Sequence, residues 1–325
     1  MLLDNLFAAM SAAILVYGLL RFALGQRWGQ RIAPDIPNDR SLHSNPVPRI
    51  GGIVLIPLAL LIACTASWQI GGLLSTLAFL LCAISFLDDR RGLSVRIRLL
   101  FHVCAAFLLC YGYGWPSAWQ LIVGAVILTW AINLYNFMDG ADGLAGEMAV
   151  IGFSAFGWAL LDLQPDLSLF AFSVAGAALG FLVLNFSPAR VFMGDSGSVP
   201  LGFLAGGVGI DGWLRGAWPV WFPFIVFAPF VIDASATILK RIARREKFWS
   251  AHREHYYQRF IRMGNSHRNL ALVELGLMLG CAMIGLLVRE SSALIQASGI
   301  ALCIIVHVLL MVAIDRRWNK YGAGI

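Results

Sequence analysis

The chain has 325 residues, of which 59% are hydrophobic and only 13% are charged, with a net charge of +6 and a mean hydropathy of +0.76. One core cannot bury so much apolar surface, so this composition excludes a soluble globular domain. It predicts an all-α, polytopic integral membrane protein. The six cysteines lie inside apolar runs without a CxxC pair, which is typical of small hydrophobic side chains rather than of disulfides or metal ligands.

About eleven runs of residues are long and apolar enough to cross a bilayer. They lie at 5–25, 51–68, 70–87, 98–114, 117–136, 145–162, 167–185, 198–214, 216–238, 270–288 and 293–314. The first run is preceded by Asp4 and followed by Arg21 and Arg27, which is the reverse of a cleavable signal peptide. We therefore expect it to remain as a helix with its N-terminus outside. Without an internal repeat or linker, residues 1–325 are predicted to form a single integral-membrane domain.

The basic residues are distributed very unevenly between the two predicted sides of the membrane. With the N-terminus in the periplasm, the C-terminus is cytoplasmic, and so are the loops at about 26–50, 88–98, 136–146, 186–197 and 239–269. These loops and the tail after residue 314 hold 21 of the 24 Lys and Arg residues. Such a bias is typical of cytoplasmic loops, so we expect the chemistry on that face. The positive charge then indicates contact with an anionic leaflet and excludes a nucleic-acid partner.

Polar side chains end the run 117–136. Asn133 and Asn136 are three residues apart and would share a helical face, and Asp139 and Asp142 continue the series just beyond. Unbalanced carboxylates beside hydrocarbon usually line a polar cavity or hold a cation. The alternative is a turn rich in Asp, Asn and Gly between two membrane helices.

A second acidic pair, Asp88-Asp89, ends another run and is followed by four arginines. Such carboxylates can serve phosphate chemistry as a metal ligand or as a general base. The alternative is a charged helix cap balanced by local ion pairs. In the preceding cytoplasmic loop, Arg49 and two glycines open the next span, where a phosphate could meet a cation and accessible backbone. An ordinary basic loop is the alternative there.

Two more polar stretches follow. Asp195 stands before Ser-Gly-Ser at the start of a span, with Phe192 offering a stacking face, so a carboxylate among anion-binding groups suggests a bridging Mg²⁺. His252 and His255 are expected to share a helical face and, with Arg253, to bind phosphates. Zinc would need a third ligand. For the stretch around Asp195, the alternative is a turn without function. For the stretch around His252, it is a basic amphipathic helix resting on the leaflet.

Taken together, these stretches resemble the polyprenyl-phosphate N-acetylhexosamine-1-phosphate transferases, glycosyltransferase family 4. The resemblance implies transfer of a sugar 1-phosphate from a UDP-N-acetylhexosamine to undecaprenyl phosphate with release of UMP. It also implies Mg²⁺, with Mn²⁺ as a substitute, and a bacterial inner-membrane enzyme whose active site faces the cytoplasm and which initiates O-antigen or cell-envelope polysaccharide synthesis. Homodimer formation is left open. The His-Arg-Glu-His sequence is more similar to the O-antigen-initiating branch than to the muramoyl-pentapeptide branch, whose histidines are consecutive.

Residue roles follow from the same resemblance. Asp195 corresponds to the metal ligand, and Asp88, with Asp89 beside it, to a base or phosphate-activating carboxylate that is also a candidate second ligand. The substrate-binding positions are Arg49, Asn133, Asn136, Asp139, Asp142, Asn185, Phe192, His252, Arg253 and His255. A cation transporter is the alternative class, but it would place its acids near the bilayer midplane, whereas here they lie at helix ends.

Overall fold

The computed structural model describes residues 1–26, 32–35, 46–66, 72–115, 117–247 and 252–322. The helices are α1 (Leu2–Gly25), α2 (Gly51–Ala66), α3 (Gly72–Arg91), α4 (Val95–Gly112), α5 (Ala118–Met138), α6 (Leu144–Leu160), α7 (Pro165–Asn185), α8 (Asp195–Leu214), α9 (Phe222–Val226), α10 (Ala228–Ala243), α11 (Tyr256–Arg262), α12 (His267–Val288) and α13 (Ala293–Gly322). Two short strands, β1 (Pro34–Asp35) and β2 (Val47–Pro48), pair antiparallel. The predicted helical fold class is confirmed.

Seven of the helices within the described ranges are long and apolar enough to cross a membrane, namely α1, α3, α4, α5, α7, α12 and α13. The apolar helices α2 and α6 are shorter. These lengths confirm a polytopic membrane protein. The count of eleven spans and the orientation of the termini remain predictions.

The predicted span 216–238 is not one helix. It is divided into α9, which ends at Val226, and α10, which begins at Ala228. Pro223 and Pro229 lie in the first turns of these two helices. Proline has no N–H to donate to the preceding turn and is best accommodated near a helix start, and here two prolines six residues apart each begin a new helix.

Helix α7 is the centre of the bundle, and it packs against α1, α2 and α6. Along its contact with α1, Gly176 and Gly180 lie directly against the backbone of Ala9 and Ala13. Small residues at such a contact let two helix backbones approach closely, which is how helices associate where the hydrophobic effect is absent. By contrast, α4, α12 and α13 expose rows of Leu, Ile, Val and Phe side chains, as lipid-facing helices do.

The connecting segments meet at one end of the bundle, called the site end below. Phe192 N donates to Pro48 O at 2.9 Å, and Gly51 N and Gly52 N donate to Phe192 O and Met193 O, each at 2.9 Å. These bonds hold the start of α2 beside the start of α8. Of the predicted loops 26–50 and 239–269, residues 27–31, 36–45 and 248–251 lie outside the described part of the chain.

Candidate active site

Two carboxylates at the site end share one cation. Asp88 lies in the last turn of α3 and Asp195 is the first residue of α8. Arg98 Nη1, from the first turn of α4, lies 3.2 Å from Asp88 Oδ2 and 3.2 Å from Asp195 Oδ2. The structure thus joins two predicted catalytic residues through a third that the sequence did not single out. Arg98 was one of four arginines after Asp89, and their spacing alone does not show which of them faces the acids.

Asp89 has a different task from its neighbour Asp88. Its Oδ1 accepts a hydrogen bond from Asp195 N at 3.1 Å, and its Oδ2 accepts one from Ser196 N at 3.0 Å. The first N–H groups of a helix have no partner inside it, so Asp89 caps α8 from another helix. Gly194 permits this approach, because its φ is +73° and a Cβ there would lie 2.7 Å from Asp89 Oδ2. Asp89 is therefore a cap of a distant helix, held by backbone N–H groups rather than by the local ion pairs of the alternative interpretation, and through this cap it fixes the position of Asp195.

The two predicted asparagines of α5 have separate surroundings. Asn136 Nδ2 lies 2.9 Å from Asp195 Oδ1 and 2.9 Å from Ser198 Oγ, so it contacts the candidate metal ligand directly. Asn133 Nδ2 donates to Thr129 O at 2.8 Å, and its side chain also hydrogen-bonds His102 on α4. Asn136 is therefore part of the carboxylate cluster, whereas Asn133 lies about one turn deeper in the bundle.

Asp139 follows the last residue of α5 and is half-buried among other acids. Burial raises the pKa of its carboxyl to about 8, and the nearby Asp195 and Asp89 act in the same direction. Arg49 lowers it, which shows that this predicted cation lies close to the acidic cluster. At neutral pH Asp139 is therefore mostly protonated in the absence of an added cation, and a cation bound nearby would release that proton.

Asn185 and Asp142 connect the loops on the flank of the cluster. Asn185 Oδ1 accepts from Gly143 N at 3.0 Å, and its Nδ2 donates to Val191 O at 2.9 Å. Asp142 Oδ2 accepts from Ala189 N at 3.1 Å, and Asp142 N donates to His267 Nδ1 at 3.2 Å. The loop after α5 is thereby tied to the loop before α8 and to α12.

Phe192 is half-buried and lies in the loop before α8, which Asn185 holds through Val191 O. His267, by contrast, was not predicted, because it lies 125 residues from Asp142 and belongs to none of the recognised stretches. Asn185, Phe192 and Asp142 therefore lie on connected loops, and their role in holding uridine stays a prediction.

The segment 252–255 is not helical, contrary to the prediction that its histidines share a helical face. Helix α11 begins only at Tyr256, and His255 precedes it with extended backbone (φ −56°, ψ 147°). The rings of His252 and His255 nevertheless lie 4.9 Å apart. The i, i+3 spacing was correct about proximity but not about its cause.

The charged side chains of this segment differ in whether they have a partner within the protein. Glu254 Oε1 lies 2.5 Å from Arg241 Nη1, and Arg244 also pairs with this carboxylate. Within the described part of the chain, Arg253 Nη2 is shielded from solvent and has no hydrogen-bond partner. Burial, His255 and Arg241 lower the pKa of His252 to about 4. At pH 7 His252 is thus a neutral imidazole, and the positive charge predicted for phosphate binding belongs to Arg253.

Residues 252–255, called the histidine segment below, adjoin residues 139–142, the acidic stretch after α5. Tyr257 OH donates to Phe137 O at 3.2 Å, and the rings of Phe137 and His255 lie 6.3 Å apart. Arg253, Asp139 and the Asp88–Arg98–Asp195 cluster are therefore carried by segments that meet at the same end of the bundle. This arrangement matches what transfer between two phosphates requires, namely carboxylates for a metal and cations for the anionic groups.

Comparison with known proteins agrees with this geometry. The chain matches glycosyl transferase family 4 over residues 72–212, the part that contains Asp88, Asn136 and Asp195. It is 32% identical over 260 residues to a phospho-N-acetylmuramoyl-pentapeptide-transferase of Synechococcus elongatus, covering 70% of this chain and 69% of that protein. The chain belongs to this family. It is thus a multi-pass membrane transferase of the polyprenyl-phosphate N-acetylhexosamine-1-phosphate type.

Two relatives of another kind cover more of the chain. A probable undecaprenyl-phosphate N-acetylglucosaminyl 1-phosphate transferase of Bacillus subtilis is 27% identical over 308 residues, covering 86% of this chain and 82% of the relative. The undecaprenyl-phosphate alpha-N-acetylglucosaminyl 1-phosphate transferase of Escherichia coli O157:H7 is 28% identical over 312 residues, covering 88% and 84%. Both branches of the family are therefore similar to this chain.

The residues of this family member fit one kind of metal better than another. Among the described residues, no three His, Cys, Asp or Glu side chains converge on one point, so the structure offers no closed metal cage there. Zinc in structural sites needs such a cage, whereas Mg²⁺ commonly takes one or two carboxylates and completes its shell with water and substrate phosphates. Asp88 and Asp195 already share a cationic nitrogen of Arg98, so they suit a shared Mg²⁺.

Proposed function

We propose that the protein transfers an N-acetylhexosamine 1-phosphate from a UDP-sugar to undecaprenyl phosphate and releases UMP. The reaction takes place at the cytoplasmic face of a bacterial inner membrane and begins O-antigen or another envelope polysaccharide. The observation that carries this proposal is the Asp88–Arg98–Asp195 cluster at helix ends, with Arg253 on a segment that meets the same end of the bundle. A cation transporter would place such acids in the middle of its helices.

Asp195 and Asp88 are the residues that would hold Mg²⁺, or Mn²⁺ in its place. When bound, the metal supplies positive charge that stabilises the developing charge on the transferred phosphoryl group. Asp89 keeps Asp195 in position by capping α8, and Asn136 orients its Oδ1. Since phosphoryl transfer depends mostly on positioning and charge, this fixed arrangement accounts for much of the expected catalysis.

We also place Asp88 beside the phosphate of the acceptor. Its Oδ1 accepts from Leu93 N at 2.5 Å, so the carboxylate is held from both sides, by that N–H and by Arg98. A lipid phosphate has a second pKa of about 6 and is largely ionised near neutral pH, so it needs little help to lose a proton. We therefore assign Asp88 to orienting the acceptor and sharing the metal, with general-base catalysis as the role to be tested.

An apolar cavity suits the acceptor's hydrocarbon chain. It has a volume of about 280 Å³ and is lined almost entirely by apolar side chains of α5, α8, α9 and α10 and of the segments between them. Along α5 it extends from Trp119 to Tyr135, which is about 24 Å at 1.5 Å per residue. Tyr135 directly precedes Asn136 in the carboxylate cluster. A polyprenyl chain in this cavity would therefore present its phosphate at the site end.

Purified protein incubated with undecaprenyl phosphate, Mg²⁺ and a panel of UDP-N-acetylhexosamines tests this function. The panel includes UDP-GlcNAc and UDP-linked N-acetylated 6-deoxyhexoses, and the measured product is UMP. UMP release that requires both the lipid and the metal, and that is lost in Asp195→Asn, supports the proposal. Metal uptake by vesicles without UMP release from any donor would show a transporter instead.

A further inference from the structure

The histidine segment is attached to the membrane bundle through one buried carboxylate. Asp233, on α10, is 7% exposed. Its Oδ1 accepts from Tyr256 N at 2.9 Å and its Oδ2 accepts from Tyr257 N at 3.0 Å. The Thr237 hydroxyl also donates to Oδ1, at 3.1 Å. Both oxygens are therefore engaged, and they bind the start of α11 rather than solvent.

This contact fixes the histidine as well as the helix. His255 Nδ1 lies 3.3 Å from Asp233 Oδ1, so the carboxylate holds the ring and leaves Nε2 as the other nitrogen. The first N–H groups of α11 have no partner inside their own helix, and a negative charge at a helix N-terminus is favourable. Asp233 thus sets where α11 begins and how the residues just before it are directed.

A second attachment joins the same segment to the acidic stretch. Tyr257 is 1% exposed, and its hydroxyl donates to Phe137 O at 3.2 Å. It lies directly over Gly140, where a Cβ would be 2.1 Å from the Tyr257 hydroxyl. Only a residue without a side chain permits this contact. The histidine segment is therefore fixed from two sides, by Asp233 on α10 and by the backbone after α5.

Within the histidine segment, two of the four side chains are already engaged by other parts of the protein. Glu254 pairs with Arg241 and Arg244, and His255 faces Asp233. His252 and Arg253 remain, and Arg253 Nη2 has no hydrogen-bond partner among the described residues. We propose that Asp233 is a positioning residue, which places His252 and Arg253 against the diphosphate of the nucleotide-sugar donor. The proposal rests on the proposed function, because it needs a diphosphate ligand.

Asp233→Asn tests the role with little change in shape. One oxygen of the amide can still accept an N–H, but its NH₂ group would face the other N–H of α11. We expect the Kd for UDP, measured by calorimetry with Mg²⁺ present, to rise at least tenfold. The affinity for uridine should not change, because uridine lacks the diphosphate. The KM for the donor should rise by a similar factor, whereas the KM for undecaprenyl phosphate should stay constant.

Asp211→Asn is the matched control. Asp211 is also 7% exposed and lies in α8, but at the opposite end of the bundle, where it pairs with Arg215. Its replacement should leave both affinities unchanged. Gly140→Ala is an independent second variant, since the added Cβ must displace the Tyr257 hydroxyl. It should weaken UDP binding more than uridine binding, and it carries the test if Asp233→Asn does not fold.

A merely structural role would lower the yield or the Tm of Asp233→Asn but leave the Kd for UDP and the donor KM at wild-type values. That result would overturn the positioning role while leaving the proposed function intact. A wild-type protein that does not bind UDP would instead overturn the proposed function, and the positioning role with it. The two failures are therefore distinguishable.

Discussion

Acidic side chains at the two ends of the helix bundle are neutralised in different ways. At one end, Asp211 has a partner of its own, Arg215, one turn away on the same chain segment at 2.6 Å. At the site end, Asp88 and Asp195 share one nitrogen of Arg98, and the contacts that hold Asp195 come from residues 59 to 106 positions away. A local pair completes a helix end by itself. A shared cation neutralises only one of the two negative charges, and the remaining negative charge is what a site for a further cation requires.

The sharpest test of this comparison is accessibility, because its outcome is all or none. In a background without native cysteines, Cys at Asp139 or Arg253 should resist an impermeant thiol reagent in intact cells, since the charge distribution predicts that the site end is cytoplasmic. Cys at Asp166 or Arg289, near the opposite helix ends, should react. Labelling is measured by mass shift. Reaction of the first pair from outside would reverse the orientation.

The two shared carboxylates should give the largest effects on rate. Asp195→Asn should lower kcat by about 10²–10⁴-fold and raise the Mg²⁺ concentration needed for half-maximal activity, because it removes the proposed metal ligand. Asp88→Asn should show a loss of similar size.

The accompanying measurements separate the roles of these two acids. If Asp88 is a general base, its variant keeps the wild-type Mg²⁺ requirement and loses the acid limb of the pH–rate profile. A wild-type profile with a higher Mg²⁺ requirement would assign Asp88 to the metal alone. Asp211→Asn, at the other end, is the control and should retain full activity.

A smaller loss is expected in the histidine segment. Arg253→Ala should reduce turnover at least tenfold, about 1.4 kcal/mol, because it removes the positive charge that we assign to the donor diphosphate. His252→Ala should do the same to a lesser extent, since its imidazole is neutral at pH 7 and can only donate or accept a hydrogen bond. Rates are compared in protein that remains monodisperse in detergent. Wild-type rates in both variants would leave the segment with contact to the leaflet as its remaining role.

The smallest predicted effect is a pH dependence. The pKa of Asp139 is raised to about 8, so below pH 8 a proton must leave before the carboxylate can help to attract a cation. The half-saturating Mg²⁺ concentration should therefore fall as pH rises towards 8, by at most tenfold per unit, and level off above it. Asp139→Asn should weaken Mg²⁺ binding above pH 8 and flatten the dependence. A dependence that is unchanged in this variant would assign the proton to another group.

Much of this molecule could be predicted from single stretches of sequence. Long apolar runs identified most helices, and the polar residues that end them, such as Asp88, Asn136 and Asp195, proved to lie together. Their proximity followed from membrane topology, because loops on one side of a bilayer share a surface. The division of the predicted span 216–238 was missed, because the run is apolar throughout, although Pro223 and Pro229 were there to indicate it.

The rest depended on contacts between distant segments. Nothing in the Asp88-Asp89 pair indicates that one side chain faces Arg98 while the other caps α8. Similarly, Asp233 lies within an apolar run and His267 opens another helix, and neither belongs to a recognised stretch. The helix expected over 252–255 was wrong, because an N-cap with extended backbone brings two histidine rings together as well as a helical turn does.

The cavity along α5 has a consequence for how the reaction is measured. Its walls are apolar from Trp119 to Tyr135, so the ligand that fills it should be apolar as well. Such a ligand is located in the hydrocarbon of the bilayer before it binds. The acceptor's concentration is then its mole fraction in the bilayer or micelle, whereas the donor's is its molarity in water. Adding inert lipid at constant total acceptor should slow the reaction by surface dilution alone. The enzyme therefore takes one substrate from the bilayer and the other from water. The availability of the two substrates is then set independently, by membrane composition and by the soluble nucleotide-sugar pool.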